Sequence, residues 1–321
     1  MPLHPQAVEF LKYAAQAGQP KLYTLSAEQA RASVRGAPEI IGPGPEVNTV
    51  EDIVIPVRDG QVPARVYSPD DAAATIVWFH GGLWVFGGLD SHDAMCRILA
   101  DAAGCTVVAV DYRLAPEHPF PIPLNDCWDA LKWIAGEFSS QPLIVGGDSA
   151  GGNLAAVCAL RARDHHGPKL AMQVLVYPMT DSAMDTGSYA ERGGDDTLMG
   201  TRNVAWSYDH YVPHGTDRGD PEISPLRASD LSNLPPAIVV TDEYDPLRDE
   251  GRAYAQQLRE AGVAVTAHQY DDMMHVFFQF VNVFERGNEA VERVGEEIRA
   301  AVGGAGGPAG RNEPLVQWQG R

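Results

Sequence analysis

Between residues 143 and 164 a buried strand must pass into a helix through a very short turn, and few folds allow that. Leu143, Ile144 and Val145 form an apolar run without polar alternation, the pattern of a strand covered on both faces in a parallel sheet. Residues 154–163 (L-A-A-V-C-A-L-R-A-R) contain strong helix formers and neither Gly nor Pro. The link is Gly147-Asp148-Ser149-Ala150-Gly151, a G-x-S-x-G. At such a turn the serine backbone is strained, and the positions two before and two after it must be small so that strand and helix can approach. Ser149 is thereby raised above the sheet, and the Ala150 amide points toward whatever oxygen the serine attacks. The plainer reading of the same residues is a glycine-rich strand-to-helix turn with a surface serine.

The remaining chain repeats this alternation. Residues 47–57 and 61–67 predict two strands joined at Arg58-Asp59-Gly60, where Asp-Gly signals a tight hairpin. Further strands are expected at 75–79, 105–110, 142–145, 171–177, 237–241 and 263–269, with helices at 92–103, 124–137, 150–163 and 247–261. Leu124, Trp128, Leu131 and Ala135 share one helical face, as do Leu247, Tyr254, Leu258 and Ala261, with Gly262 as a stop. This order predicts an α/β fold: a mostly parallel central sheet flanked by helices, with an antiparallel hairpin at its edge. Residues 1–45 predict two helices (7–17 and 26–34) and a Gly/Pro-rich connection. They are too short for a domain and are expected to lie over something else. Residues 181–222 break the alternation, holding one helix (201–211) among Gly, Pro and Asp. Long excursions of this kind form lids or binding loops. The expected organisation is therefore 1–45 as N-terminal cap helices, 46–302 as the catalytic domain with 181–222 joining the cap, and 303–321 as a flexible tail.

Composition narrows the function. A formal net charge of −19 argues against nucleic acid and against anionic membrane surfaces. Residues 1–10 show no secretion signal, and no apolar run approaches the roughly 18 residues of a spanning helix. Cys96, Cys105, Cys127 and Cys158 are widely spaced without a C-x-x-C. They read as buried hydrophobes of a reducing cytoplasm rather than a disulfide framework or metal site. His210 and His214 stand four apart, but Pro213 interrupts and no third ligand is evident, so no metal is expected.

A serine hydroxyl needs a base within hydrogen-bond reach, and that base needs an orienting acid. Among ten histidines, His275 follows the last expected strand, on the side where Ser149 is raised. Asp245 follows the strand at 237–241, giving the order Ser149, Asp245, His275. Asp242 and Glu243 remain rivals for the acid on spacing alone. His80-Gly81-Gly82-Leu83-Trp84 follows the strand at 75–79. Its backbone amides, with that of Ala150, can bind an oxyanion, whereas the His80 ring is expected to hold the loop.

Four stretches now carry a resemblance: H-G-G-L-W at 80–84, D-Y-R-L-A-P-E-H-P-F-P at 111–121, G-D-S-A-G-G at 147–152 and D-P-L-R-D-E at 245–250. Together they resemble the bacterial hormone-sensitive lipase-like (family IV) carboxylesterases of the α/β-hydrolase superfamily. That resemblance implies Asp245 as the acid, His275 as the base and a cap containing the N-terminal helices. It also implies hydrolysis of short- to medium-chain esters without a cofactor; members often form homodimers. Two departures stand out. Leu83 replaces a usual glycine, and leucine cannot take positive φ cheaply. The hole is then expected to rest on Gly81, Gly82 and Ala150, with Leu83 donating, if at all, from an ordinary conformation. Asp272 and Val276 replace glycines around the M-x-H element, and their side chains are expected near the site. Trp84, Phe86 and Val276 are candidate pocket residues, with packing under the cap as the plainer reading for Trp84 and Phe86. H-G-G-x-W also resembles arylformamidases, which makes an amidase the second reading; a catalytically silent small-molecule receptor of the same fold is the third.

Overall fold

The hairpin signal at Asp59-Gly60 is realised as β1 (Thr49–Val57) and β2 (Gly60–Ser68), paired antiparallel with Val57 opposite Gly60. The apolar runs that follow become β3 (Thr75–Phe79), β4 (Thr106–Val110), β5 (Leu143–Asp148), β6 (Leu170–Val176), β7 (Ala237–Tyr244) and β8 (Val265–Met274). All residues of β3, β4 and β5 are buried, as expected of strands covered on both faces. In this computed structural model, residues 1–303 are described, apart from residues 19, 139, 140, 195 and 196. The expected flexible tail lies outside the described residues except for Gly303.

The sheet order is β1-β2-β4-β3-β5-β6-β7-β8, parallel from β4 to β8. The chain first moves outward from β3 to β4, then crosses back to place β5 on the other side of β3. At such a reversal the loops after the two adjacent strands diverge to opposite faces and leave a crevice at their carboxyl ends. Those loops are the H-G-G-L-W stretch after β3 and the Ser149 turn after β5.

The helices are α1 (Pro5–Gln16), α2 (Ala27–Val34), α3 (Ala37–Ile41), α4 (Leu89–Ala103), α5 (Ile122–Glu137), α6 (Ala150–Asp164), α7 (Gly187–Arg192), α8 (Thr201–Tyr211), α9 (Arg248–Glu260) and α10 (Glu285–Gly303). Helices α4 and α10 cover one face of the sheet; α5, α6 and α9 cover the other. Ser26 caps α2 through a reciprocal pair with Gln29. Three helices were not expected, the first being the short α7 within residues 181–222. Helix α3 forms inside the Gly/Pro-rich connection, closed by Gly42 at φ +76°. Helix α10 has a plain helical stripe (Ala290, Val291, Val294, Ile298), all buried against the sheet and α4. The four cysteines are free and buried, as expected.

Helix α6 can begin immediately after Ser149 because its first turn lies against β3. A Cβ on Gly151 would overlap the Phe79 carbonyl, and one on Gly147 would overlap the carbonyl of Gly151. Gly151→Ala is therefore expected to lower stability by about 1–3 kcal/mol, through forced separation of α6 from β3. A thermal melt unchanged from wild type would contradict this packing.

Candidate active site

Each candidate triad residue sits where a parallel strand ends. Ser149 is the N-cap of α6 directly after β5, with φ +55° and ψ −117°, a strained conformation held from both sides. Its N–H donates to the Val176 carbonyl (2.8 Å), and its own carbonyl accepts from Met179 (3.2 Å). Asp245 follows β7, where its Oδ1 accepts the Leu247 N–H at 2.9 Å. His275 follows β8 under the Tyr177 ring, 4.5 Å between centroids. The three side chains meet: His275 Nε2 lies 3.0 Å from Ser149 Oγ, and His275 Nδ1 lies 2.7 Å from Asp245 Oδ2. Serine and histidine are each only 4% exposed and the aspartate is fully buried. With Nδ1–H donating to the carboxylate, Nε2 is left as the acceptor for the serine proton. Of the rival acids, Glu243 is committed to Arg192 and Arg248 (3.2 and 2.6 Å), while Asp242 lies beside Asp245 in the interior.

The oxyanion loop departs from expectation at two residues. Gly81 was expected to donate to the hole, but its N–H is turned to Asp148 Oδ1 at 3.1 Å. The amides of Gly82, Leu83 and Ala150 take no acceptor among the described residues and remain as the candidate donors. Leu83 does not sit in an ordinary conformation: its φ is +56°, and Trp84 follows at +60°. Two consecutive left-handed residues cost about 1–2 kcal/mol each. Both side chains are almost wholly buried, worth about 1.5–3 kcal/mol apiece, which offsets the strain. Gly82, at φ +122°, tolerates no side chain because a Cβ would overlap the Phe86 carbonyl.

Beneath this loop, Asp148 is a buried anchor that sequence reading missed. It accepts from Trp78 Nε1 (3.2 Å) and the Gly81 amide, and His92 Nε2 lies 3.1 Å from its Oδ1. Burial alone would raise its pKa, but the adjoining His92 and these donors outweigh that and hold it below the ordinary aspartate value. Its position as the first x of G-x-S-x-G was visible; its partners, from β3 and α4, were not. His80 holds the loop as expected. Its Nδ1 lies 2.8 Å from the Gly81 carbonyl, its ring stacks on Tyr112 at 4.3 Å, and its own carbonyl accepts the Tyr112 hydroxyl at 2.7 Å. Burial, with the neighbouring His92 ring, pushes its pKa down to about 4, so it is neutral at physiological pH.

The expected pocket residues divide. Trp84 is fully buried, stacked 4.3 Å from Tyr211 of α8 and 5.2 Å from Tyr208. Phe86 and Val276 are half-buried, and Val276 takes a positive φ of +76° that a β-branched residue adopts only under constraint. Asp272 turns away from the site to Arg286 (3.3 Å), contrary to the expected crowding. His210 gives its Nδ1 to the Trp206 carbonyl at 2.8 Å. The N-terminal segment also reaches the loop. Arg31 donates to the Val85 and Ala115 carbonyls, both at 2.8 Å, and pairs with Glu117. Trp206 Nε1 of α8 donates to the Leu25 carbonyl at 3.2 Å.

Asp148→Asn keeps the shape but removes the charge. We expect a loss of about 1–3 kcal/mol at neutral pH and a lower kcat as Gly81 loosens. Because the folded pKa is depressed, the stability Asp148 contributes is present above the unfolded value of about 4 and lost on further acidification. The gap in Tm between wild type and variant should therefore close as pH falls; a gap independent of pH would count against the anchor.

Comparison with known proteins agrees with this architecture. The sequence pattern of the family described as alpha/beta hydrolase fold matches residues 76–279. The chain is 40% identical over 285 residues to carboxylic ester hydrolase LipN of Mycobacterium tuberculosis, covering 84% of this chain and 74% of that protein. It is 37% identical over 293 residues to ethyl acetate hydrolase of Pseudomonas putida, covering 87% and 91%. The structure of a hyperthermophilic esterase from Pyrobaculum calidifontis superposes with a TM-score of 0.86 at 40% identity, covering 94% of this chain and all of that one. With the pattern spanning both loops of the crevice and relatives at this identity, the chain belongs to the alpha/beta hydrolase family, in its hormone-sensitive lipase-like (family IV) branch.

Proposed function

We propose that this protein is a serine carboxylesterase acting on short- to medium-chain esters through an acyl-enzyme. The observation that carries the reading is the continuous relay from Asp245 through His275 to Ser149, at 2.7 and 3.0 Å. In this reading His275 takes the Ser149 proton as the oxygen attacks the ester carbonyl. Asp245 keeps the imidazole in the required tautomer and stabilises its charged form. The Gly82, Leu83 and Ala150 amides receive the oxyanion; losing one such donor costs on the order of 100-fold or more in rate. His275 then protonates the leaving alcohol, and water repeats the sequence on the acyl group without any cofactor.

Helices α1 and α2 with residues 181–222 form the cap in this proposal, supported by the Trp206–Leu25 bond and by Arg31 gripping the loop after Trp84. Trp84 then serves as the floor on which α8 rests, and Phe86 and Val276 face substrate. Four free buried cysteines support a reducing, cytoplasmic setting, and among the described residues no helix is long and apolar enough to cross a membrane. Association as a homodimer belongs to the same proposal and is read by sedimentation.

Ser149→Ala is expected to abolish turnover of p-nitrophenyl butyrate with the melt unchanged, and a fluorophosphonate should label wild type at Ser149 alone. An unlabelled Ser149 would instead favour a silent receptor. The butyrate ester should be hydrolysed far faster than N-formylkynurenine; the reverse preference would move the assignment to an amidase.

A further inference from the structure

Strand β7 runs three residues past its expected end, and that extension carries Asp242 into the interior beside the triad. Asp242 is fully buried, and neither carboxylate oxygen meets a hydrogen-bond donor among the described residues. Single donor atoms of Asp242, Asp245 and His275 all lie within 4.8 Å of one another. His275 spends its Nδ1–H on Asp245, so it cannot serve Asp242 as well. Arg248, whose charge acts on Asp242, is committed to Glu243, Asp249 and Glu191. Tyr177, from the loop after β6, presents a phenol that burial keeps neutral, and Tyr270 pairs with Asp242 in register on β8. Asp242 thus faces one carboxylate (Asp245), a second on its own strand (Glu243) and, among the described residues, no cation that hydrogen-bonds it.

Two adjacent buried carboxylates cannot both be ionised without large cost. As an anion, Asp242 would hold two unsatisfied oxygens; as an acid, it has an acceptor in Asp245. We propose that Asp242 is a positioning residue: a neutral carboxylic acid whose O–H donates to the Asp245 carboxylate and holds it toward His275. Burial, then the Asp245 charge, push its pKa well above the ordinary aspartate value, in agreement with the geometry. Because this donor draws charge from Asp245, it also restrains the basicity of His275. The inference rests on the triad reading above.

The test compares pH profiles of kcat/KM for p-nitrophenyl butyrate in wild type, Asp242→Asn and Asp242→Leu. The asparagine amide can still donate to Asp245, so its profile should overlay wild type. The leucine is of similar volume but cannot donate. Its kcat should fall on the order of tenfold with KM little changed, and its acid limb should move to higher pH as Asp245 strengthens its hold on the imidazolium. The opposite sign is equally informative: were Asp242 an anion, either substitution would remove negative charge and move the acid limb to lower pH. That result, or a leucine profile identical to wild type, overturns the proposal. If leucine does not fold, Asp242→Ala takes its place.

A second readout needs no activity. A carboxyl with a raised folded pKa contributes stability below its unfolded value and loses it as pH rises toward the folded one. The Tm of Asp242→Asn relative to wild type should therefore climb as pH rises above the unfolded value of about 4; a flat difference counts against a neutral Asp242. Failure of the triad reading is separable, because it would show as a wild-type Ser149 that takes no fluorophosphonate.

Discussion

The close approach of α6 to β3 is the constraint on which the rest of this molecule depends. The first turn of α6 can lie on the Phe79 carbonyl only because Gly151 lacks a Cβ. That contact forces the chain to leave β5 and enter α6 with no intervening loop, and Ser149 absorbs the whole change of direction at φ +55°. The strain is sustained because both sides of the turn are bonded, to Val176 and Met179. A relaxed serine would lie back along the sheet, and the 3.0 Å contact with His275 would be lost.

A second layer of organisation is electrostatic. Two buried aspartates, at the carboxyl-terminal parts of β5 and β7, meet opposite environments. Asp148 is surrounded by donors and by His92, which keep it charged and let it hold Gly81 and Trp78. Asp242 is buried beside a carboxylate and the neutral Tyr177 phenol, which favour the proton. One acid therefore anchors the oxyanion loop as an anion, and the other is proposed to brace the triad acid as a donor. The same residue type does two jobs because the local field differs, not because the side chains do.

The oxyanion loop shows how a local rule yields to packing. Leucine at a position needing positive φ is unfavourable, and an ordinary conformation at Leu83 was the natural expectation. Burial of Leu83 and Trp84 against α8 and the core outweighs the backbone cost, so the loop keeps its turn without a third glycine. Likewise the Gly81 amide, a donor to substrate by its place in the motif, is taken by Asp148 beneath it. Neither outcome has a local signature, since the partners come from β3, β5, α4 and α8.

Chain order alone determined much here. Apolar runs without alternation specified the strands of a parallel sheet, because strands covered on both faces need no polar face. The G-x-S-x-G between strand and helix specified a raised serine, because only small residues allow that turn. Position after successive strands brought Asp245 and His275 to the same edge. Periodicity also describes α10, through the stripe Ala290, Val291, Val294 and Ile298. Tertiary structure decided which of three neighbouring acids meets His275, because the length of β7 is set by its pairing with β8 and the partners of Glu243 lie on α7 and α9. It likewise decided which amides stay free and which buried acid keeps its proton. Those depend on neighbours distant in sequence, and a carboxylate's charge state is a property of its surroundings rather than of its place in the chain.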